Sequence, residues 1–224
     1  MLLLTVVELL EYVNAAGISP FAKLRERLDT STRARVTGGV LRLDTGNFSA
    51  VKGAGAGIFE LRLDFGPGYR VYFGKDGEQL IILLGGGTKR RQPDDIQAAQ
   101  TLWREYKRTK GRRGTMASTR SFSETVKADL EKNVEFRRAL LSEAVACMVS
   151  GDLETGKAVL REYVNGTVGF LKLGAALGRS PKSLMRMLGP TGNPQARNLF
   201  EMVAYLQKAE GTVLEIRASD ATAA

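Results

Sequence analysis

The chain has 224 residues, with 33 Lys and Arg against 24 Asp and Glu, one cysteine, one tryptophan and no histidine. Cys147 alone leaves no intrachain disulfide and no thiolate metal cluster, and the missing histidines exclude Ser-His-Asp and Cys-His triads and His-ligated zinc. The net charge of +9 points to a polyanionic partner, and any chemistry falls to Lys, Arg, Tyr or carboxylates, with no cofactor or metal expected.

A hydrophobic content of 43% and a charged content of 25% are those of a globular chain of one large or two small domains. The start, MLLLTVVELLEYV, has no leading basic residues and is interrupted by Glu8 and Glu11. It reads as a strand running into a short helix, not as a signal peptide. The apolar run 80–84 is far short of the ~20 residues that span a bilayer. A cytoplasmic location and no membrane partner are therefore expected.

In chain order, 8–16 and 20–44 carry helix-like stretches. Three runs rich in aromatic and branched residues, 58–65, 69–73 and 79–84, are separated by Gly, Pro and Asp and read as strands of a meander. Gln92-Pro93-Asp94-Asp95 opens a helix, with proline in the first turn, acids at the positive end of the dipole, and Arg104, Lys107 and Arg108 near the other end. Its apolar positions Ile96, Ala99, Trp103 and Tyr106 share one face. Cys147 and Trp103 are assigned to packing.

Residues 107–121, KRTKGRRGTMASTRS, have linker composition. Residues 1–113 hold 19 basic and 12 acidic residues and carry +7; residues 116–224 hold 14 and 12 and carry +2. The second part reads as all-α. Ser121-Phe122-Ser123-Glu124 is a capping box, and helical faces follow at Val126/Leu130 and Phe136/Leu140/Ala144/Met148. The fold class expected is thus two domains, an α+β antiparallel sheet with helices followed by an all-α domain.

The sharpest chemical pattern is IFELRLDFGPGYRVYF. Alternation places Phe59, Leu61, Leu63 and Phe65 on one face of the strand and Glu60, Arg62 and Asp64 on the other. A three-residue Gly66-Pro67-Gly68 loop would set Asp64 opposite Arg70 and Arg62 opposite Tyr72. Lys52 lies one strand upstream, and Lys89, Arg90 and Arg91 follow the strand after Gly85-Gly86-Gly87. Basic groups converging on one sheet surface suit phosphate, which guanidinium forks bind bidentately. An ordinary cross-strand Asp64–Arg70 ion pair on a solvated strand face explains the same spacing.

These segments, together with LLGGGTKRRQPDDIQAAQTLWREYK, resemble the HigB-type branch of the RelE/ParE toxin superfamily over most of residues 1–110. The resemblance implies a ribosome-dependent messenger-RNA endonuclease. Lys52, Arg62, Arg70 and Lys89 would be its catalytic groups, and Arg90 and Arg91 would add to RNA binding. The implied reaction is attack of a ribose 2′-OH on its adjacent phosphate, which needs a base, positive charge for the phosphorane and a proton for the leaving 5′-oxygen. Some relatives carry tyrosine or histidine after the last strand where this chain has TKRRQPDD, which leaves Lys52 or Lys89 as proton carrier, a weak nuclease, or action on another target. ParE-type relatives poison DNA gyrase on the same fold.

In the second part, FLKLGAALGRSPKSLMRML has helix-turn-helix grammar at about 167–189. Leu173, Gly174 and Leu177 pack the first helix, Gly178 turns, Ser180 caps, Pro181 begins the second helix, and Leu184 and Leu188 face inward. The outward residues Lys182, Ser183, Met185 and Arg186, with Ser180, suit a DNA major groove and its phosphates. Two short helices of a bundle joined at a glycine would look alike. With SFSETVKADLEKN, GDLETGKAVL and GPTGNPQARNLFEMVAYLQ, the segment resembles the HigA-type addiction-module antidote with an Xre/Cro-like domain, over about 116–210.

The combined expectation is a toxin domain over 1–110, a linker over 111–120 and an operator-binding antitoxin over 121–224. The partners implied are mRNA on the ribosome, operator DNA, a toxin–antitoxin contact and a second copy of the chain. The alternative is a catalytically silent transcription regulator.

Overall fold

The computed structural model describes residues 7–78, 80–110 and 119–215. Most of the expected linker, 111–118 with Met116, lies outside the described residues. The chain is α+β. A six-stranded, mostly antiparallel sheet runs in the order β2-β3-β4-β5-β1-β6, with β1 and β5 paired parallel.

β1 (Glu8–Tyr12) is a strand where a helix is expected over 8–16. It lies between β5 and β6 with both faces covered, so the alternation that marks a half-buried strand is lost. The helical stretch 20–44 divides into α1 (Pro20–Glu26) and α2 (Thr30–Asp44). The break follows from two caps: Ser19 Oγ accepts from the Ala22 amide at 3.0 Å, and Asp29 Oδ1 accepts from the Thr32 amide at 2.9 Å.

β2 (Val51–Gly53), β3 (Ile58–Leu63), β4 (Tyr69–Asp76) and β5 (Leu80–Thr88) form the meander. Two details correct the expected hairpin. Tyr69 pairs with Leu63, not Phe65, so Arg62 stands directly opposite Arg70 and Glu60 opposite Tyr72. The Gly68 amide donates to the Phe65 carbonyl at 2.9 Å, so the connection is longer than the three residues Gly66-Pro67-Gly68. The register moves by two, and every side chain keeps its face.

The triple glycine lies inside β5 and not after it, with Gly86 paired to Val71 and Gly87 to Arg70. A Cβ at Gly86 would stand 2.3 Å from the Arg70 carbonyl oxygen, and one at Gly87 would stand 2.1 Å from Asp95 Oδ2. Glycine here permits close approach by the neighbouring strand and by the helix above.

A 3-10 turn, Lys89–Arg91, leads into α3 (Gln92–Lys110). Ala99, Trp103 and Tyr106 of α3 are buried against Tyr12, Ile58, Tyr72, Ile82 and Leu84 on one face of the sheet. Trp103 lies flat over Gly74, where a Cβ would approach its ring to 2.5 Å. The opposite face, carrying Leu9, Leu61, Leu63, Val71, Phe73, Ile81 and Leu83, lies in a core shared with Phe21 of α1 and Val36, Val40 and Leu43 of α2.

The second part contributes β6 (Thr119–Ser121), which pairs antiparallel with β1 and overturns the all-α expectation. Three residues are too few to show alternation. Helices α4 (Phe122–Lys132), α5 (Val134–Val149), α6 (Leu153–Gly166), α7 (Gly169–Leu177), α8 (Pro181–Met187) and α9 (Ala196–Glu210) follow. Ser121 stands at the N-cap of α4 without a side-chain cap bond, and Ser123 donates instead to Glu162, so the capping box does not form.

The core continues from α2 into α5 and α6 through Leu140, Leu141, Ala144, Val159 and Leu160. Ion pairs stitch the same seam: Arg25–Asp129 at 2.9 Å, Arg42–Asp152 at 2.6 Å, and Arg161–Asp44. Arg25 is 2% exposed and also lies over the Phe122 ring, 5.4 Å from its centroid. Among the described residues no helix is long and apolar enough to cross a membrane.

Candidate functional site

The face of the sheet under the start of α3 gathers most of the predicted basic residues. Lys52 on β2 pairs with Glu60, which pairs with Tyr72; in the next row Arg62 pairs with Arg70, which pairs with Gly87. Two like charges directly opposite across a ladder repel. Glu60 relieves this. Its carboxylate lies 2.9 Å from Arg70 Nε and 3.6 Å from Arg62 Nη2, and it accepts from Gln92 Nε2 at 3.0 and 3.2 Å.

The two arginines differ sharply in availability. The Arg70 side chain is 6% exposed, and its Nη1 also donates to Asp64 at 3.1 Å and to the Tyr69 carbonyl at 2.9 Å. The Asp64–Arg70 pair expected as an alternative therefore forms, although the two are not paired in register. Arg62 is 32% exposed, and its Nε has no hydrogen-bond partner.

Lys52, Lys89, Arg90 and Arg91 are exposed. The Lys89 amide donates to the Gly68 carbonyl at 2.8 Å, which holds Lys89 beside the hairpin loop near the Arg70 head. Lys52, Arg62, Arg70 and Lys89 thus border one face, with Arg90 and Arg91 in the turn beyond it.

Four residues of this site carry no functional signal in the sequence: Glu60, Tyr72, Gln92 and Asp95. Tyr72 is fully buried, and its hydroxyl has no hydrogen-bond partner. Burial pushes that hydroxyl well above the usual tyrosine range, and the charges of Glu60 and Asp95 add to the effect. Asp95 Oδ2 is likewise buried without a partner, and its carboxyl is raised by burial and by Asp94 against the pull of Arg91. Gln92 and Asp95 read as helix-start residues, and only the fold of α3 onto β4 and β5 brings them to Glu60 and Gly87.

The second predicted site lies on α7 and α8. Gly178 adopts φ 62°, and a Cβ at Gly174 would stand 2.6 Å from the Arg179 carbonyl oxygen, so Gly174 admits the turn itself. Ser180 Oγ accepts from the Ser183 amide at 3.2 Å, and Leu184 and Leu188 are buried. Ser180, Lys182, Met185 and Arg186 are exposed and Ser183 half-buried. Arg179, which follows the turn glycine, pairs with Glu201 at 3.0 Å.

Gly192 of the GNP element tucks under the end of α8, where a Cβ would approach the Arg186 and Met187 carbonyls to 2.3 Å. Buried Lys157 reaches the Gly192 carbonyl from α6. Beside this corner Arg179, Arg186 and Arg197 line a cleft of about 560 Å³ with Asn193, Gln195 and Asn198.

No family model and no solved structure matches the chain. The chain is similar to an uncharacterized protein of Haemophilus influenzae, 45% identical over 73 residues, which cover 33% of this chain and 74% of that protein. At that identity and coverage the chain belongs to the family of this Haemophilus influenzae protein.

Proposed function

We propose that the chain is a toxin–antitoxin module on one polypeptide. Residues 1–110 form a RelE/ParE-like messenger-RNA endonuclease, 111–120 a linker, and 121–224 an antitoxin that also binds operator DNA through α8. It acts in the cytoplasm and pairs with a second copy on DNA. The observation that carries the reading is the convergence of Lys52, Arg62, Arg70 and Lys89 on one face of the sheet. Positive charge placed there stabilises the phosphorane formed when a 2′-OH attacks its neighbouring phosphate, and an exposed lysine carries the proton.

Masking of the toxin half has its own support. Glu143, Cys147 and Thr155 of α5 and α6 line a cleft of about 310 Å³ together with Arg62 and Asp64, so a body as bulky as a ribosome meets the second half at that rim, while a short RNA does not need to. β6 on the sheet edge and the ion pairs to α2 hold that half in place. Covalent tethering raises the local antitoxin concentration to roughly the millimolar range for a short linker.

Expression of residues 1–113 alone tests the reading. Arrested growth with cleavage of messenger RNA in a translating extract is expected. Harmless expression without cleavage would sink the nuclease and leave the second reading, a silent regulator, which the engagement of Arg70 by Glu60 and Asp64 favours. Arrest without RNA cleavage would favour a gyrase poison.

A further inference from the structure

We infer that Arg62 and Arg70 do different work: Arg70, Glu60 and Gln92 form a buried positioning clamp, and Arg62 is the guanidinium that takes the substrate phosphate. The inference rests on reading this face as an RNA-phosphate site.

Arg70 is turned into the fold and held among carboxylates. Its Nε faces Glu60 at 2.9 Å, its Nη1 is shared between Asp64 and the Tyr69 carbonyl, and its side chain is 6% exposed. A phosphate would have to displace these contacts at a side chain that is almost wholly buried. Among the described residues the Arg62 side chain is tied only to Glu60, at 3.6 Å, across a gap too long for a good hydrogen bond. It is 32% exposed against 6% for Arg70, and that exposure separates the two, since the Nε of each lies buried without a hydrogen-bond partner.

Glu60 cannot follow Arg62 outward, because Gln92 holds both its oxygens and it is 2% exposed. Glu60 therefore takes the place between the two guanidinium groups that an anion would take. With Asp64 it offsets the charge of the facing arginines, and an incoming phosphodiester replaces it at Arg62 while Arg70 stays bound. The exposed Lys52, one strand over from Glu60, is placed to meet the same phosphate backbone. The clamp also sets selectivity: a ligand must carry enough negative charge to compete with a fixed carboxylate.

The test uses the full chain with arginine Nε labelled by nitrogen-15, titrated with a short 2′-O-methyl RNA that lacks the attacking hydroxyl. The Arg62 Nε resonance should move on binding while that of Arg70 stays. Glu60→Gln, which keeps the shape and removes the competing charge, should tighten binding roughly three- to tenfold, the range for loosening one part-exposed charged contact. Should that variant not fold, Gln92→Leu should shift affinity in the same direction by less. The wild-type resonances decide the division of roles without either variant. Movement of Arg70 with Arg62 unmoved, or weaker binding by a folded Glu60→Gln chain, would overturn the clamp and leave the RNA site standing. If the RNA binds nowhere and neither arginine responds, the phosphate-site reading fails and takes the clamp with it.

Discussion

The two cationic surfaces of this protein are built in opposite ways. On the sheet, arginine charge is set into the fold beside carboxylates: Arg70 with Glu60 and Asp64, Arg62 with Glu60. On α8, Lys182 and Arg186 stand in solvent, and neither makes an ion pair among the described residues. Formal charge therefore misleads about available charge. Residues 1–113 carry +7 and residues 116–224 only +2, yet the surface richer in formal charge is the one whose guanidinium groups are largely engaged by carboxylates. A long-range phosphate attraction is expected from the exposed set, and short-range, geometry-dependent recognition from the engaged one.

The contrast breaks most visibly at Arg25, the extreme case of an engaged cation. It is buried between the halves, 2.9 Å from Asp129, donates to Thr37 at 3.2 Å and lies within electrostatic reach of the fully buried Glu11. Glu11 has no hydrogen-bond partner for either oxygen. Arg25→Ala breaks the Asp129 pair and the Thr37 hydrogen bond and removes a buried side chain stacked on Phe122, losses that together cost about 3–5 kcal/mol. Thermal unfolding should move down by roughly 10 °C. An unchanged midpoint would mean that apolar packing of α2 against α5 holds the seam without the charges.

The exposed set is sharpened by the reverse experiment. Lys182→Ala with Arg186→Ala should leave stability within about 0.5 kcal/mol, since neither side chain is packed. Binding to the DNA upstream of the gene should weaken, and the slope of log affinity against log salt should flatten by roughly two, one for each lost phosphate contact. Unchanged binding would move the DNA-facing surface elsewhere, with the cleft at Arg179 and Arg197 the next place to mutate.

What the sequence makes legible follows the same divide between local and long-range causes. Alternation from 58, the Gln92-Pro93-Asp94-Asp95 helix start and the Gly178 turn are decided by neighbours within a few residues; the helix start and the turn stand where they are expected, and the strand expected over 58–65 ends at Leu63. β1 reads as a helix because contacts on both its faces erase the alternation. The triple glycine looks like a loop because its reasons, the Arg70 carbonyl and Asp95, lie on other elements. At the candidate site the basic residues are legible and the carboxylate that organises them is not. Glu60 alternates like a solvent-facing residue, and only Arg70 and Gln92, brought from β4 and α3, bury it.

Glu143 tests the smallest and most particular consequence, at the cleft that α5 and α6 line together with Arg62. It shares the cleft with Arg62 and Asp64, and the Cys147 thiol donates to its Oε1 at 3.5 Å. Burial raises its carboxyl above the ordinary value near 4.5, against weaker pulls from the Cys147 hydrogen bond, Arg35 and Arg42. The thiol is itself pushed up to about 12 by burial and then by the Glu143 charge, so it stays protonated and donates across the neutral range. A carboxyl raised in the folded state binds its proton more tightly there than in the unfolded chain. Its contribution to stability is therefore fully present below the unfolded value and is lost as pH rises through the folded one. Glu143→Gln mimics the protonated form at every pH. The variant should be the more stable protein at pH 7, and its lead over the wild type should shrink as the pH falls through the acid range and vanish below about 4. Urea midpoints of both proteins across that range measure the gap. A variant less stable than the wild type at pH 7, with the deficit closing toward acid, would show instead that Glu143 is held by its cations.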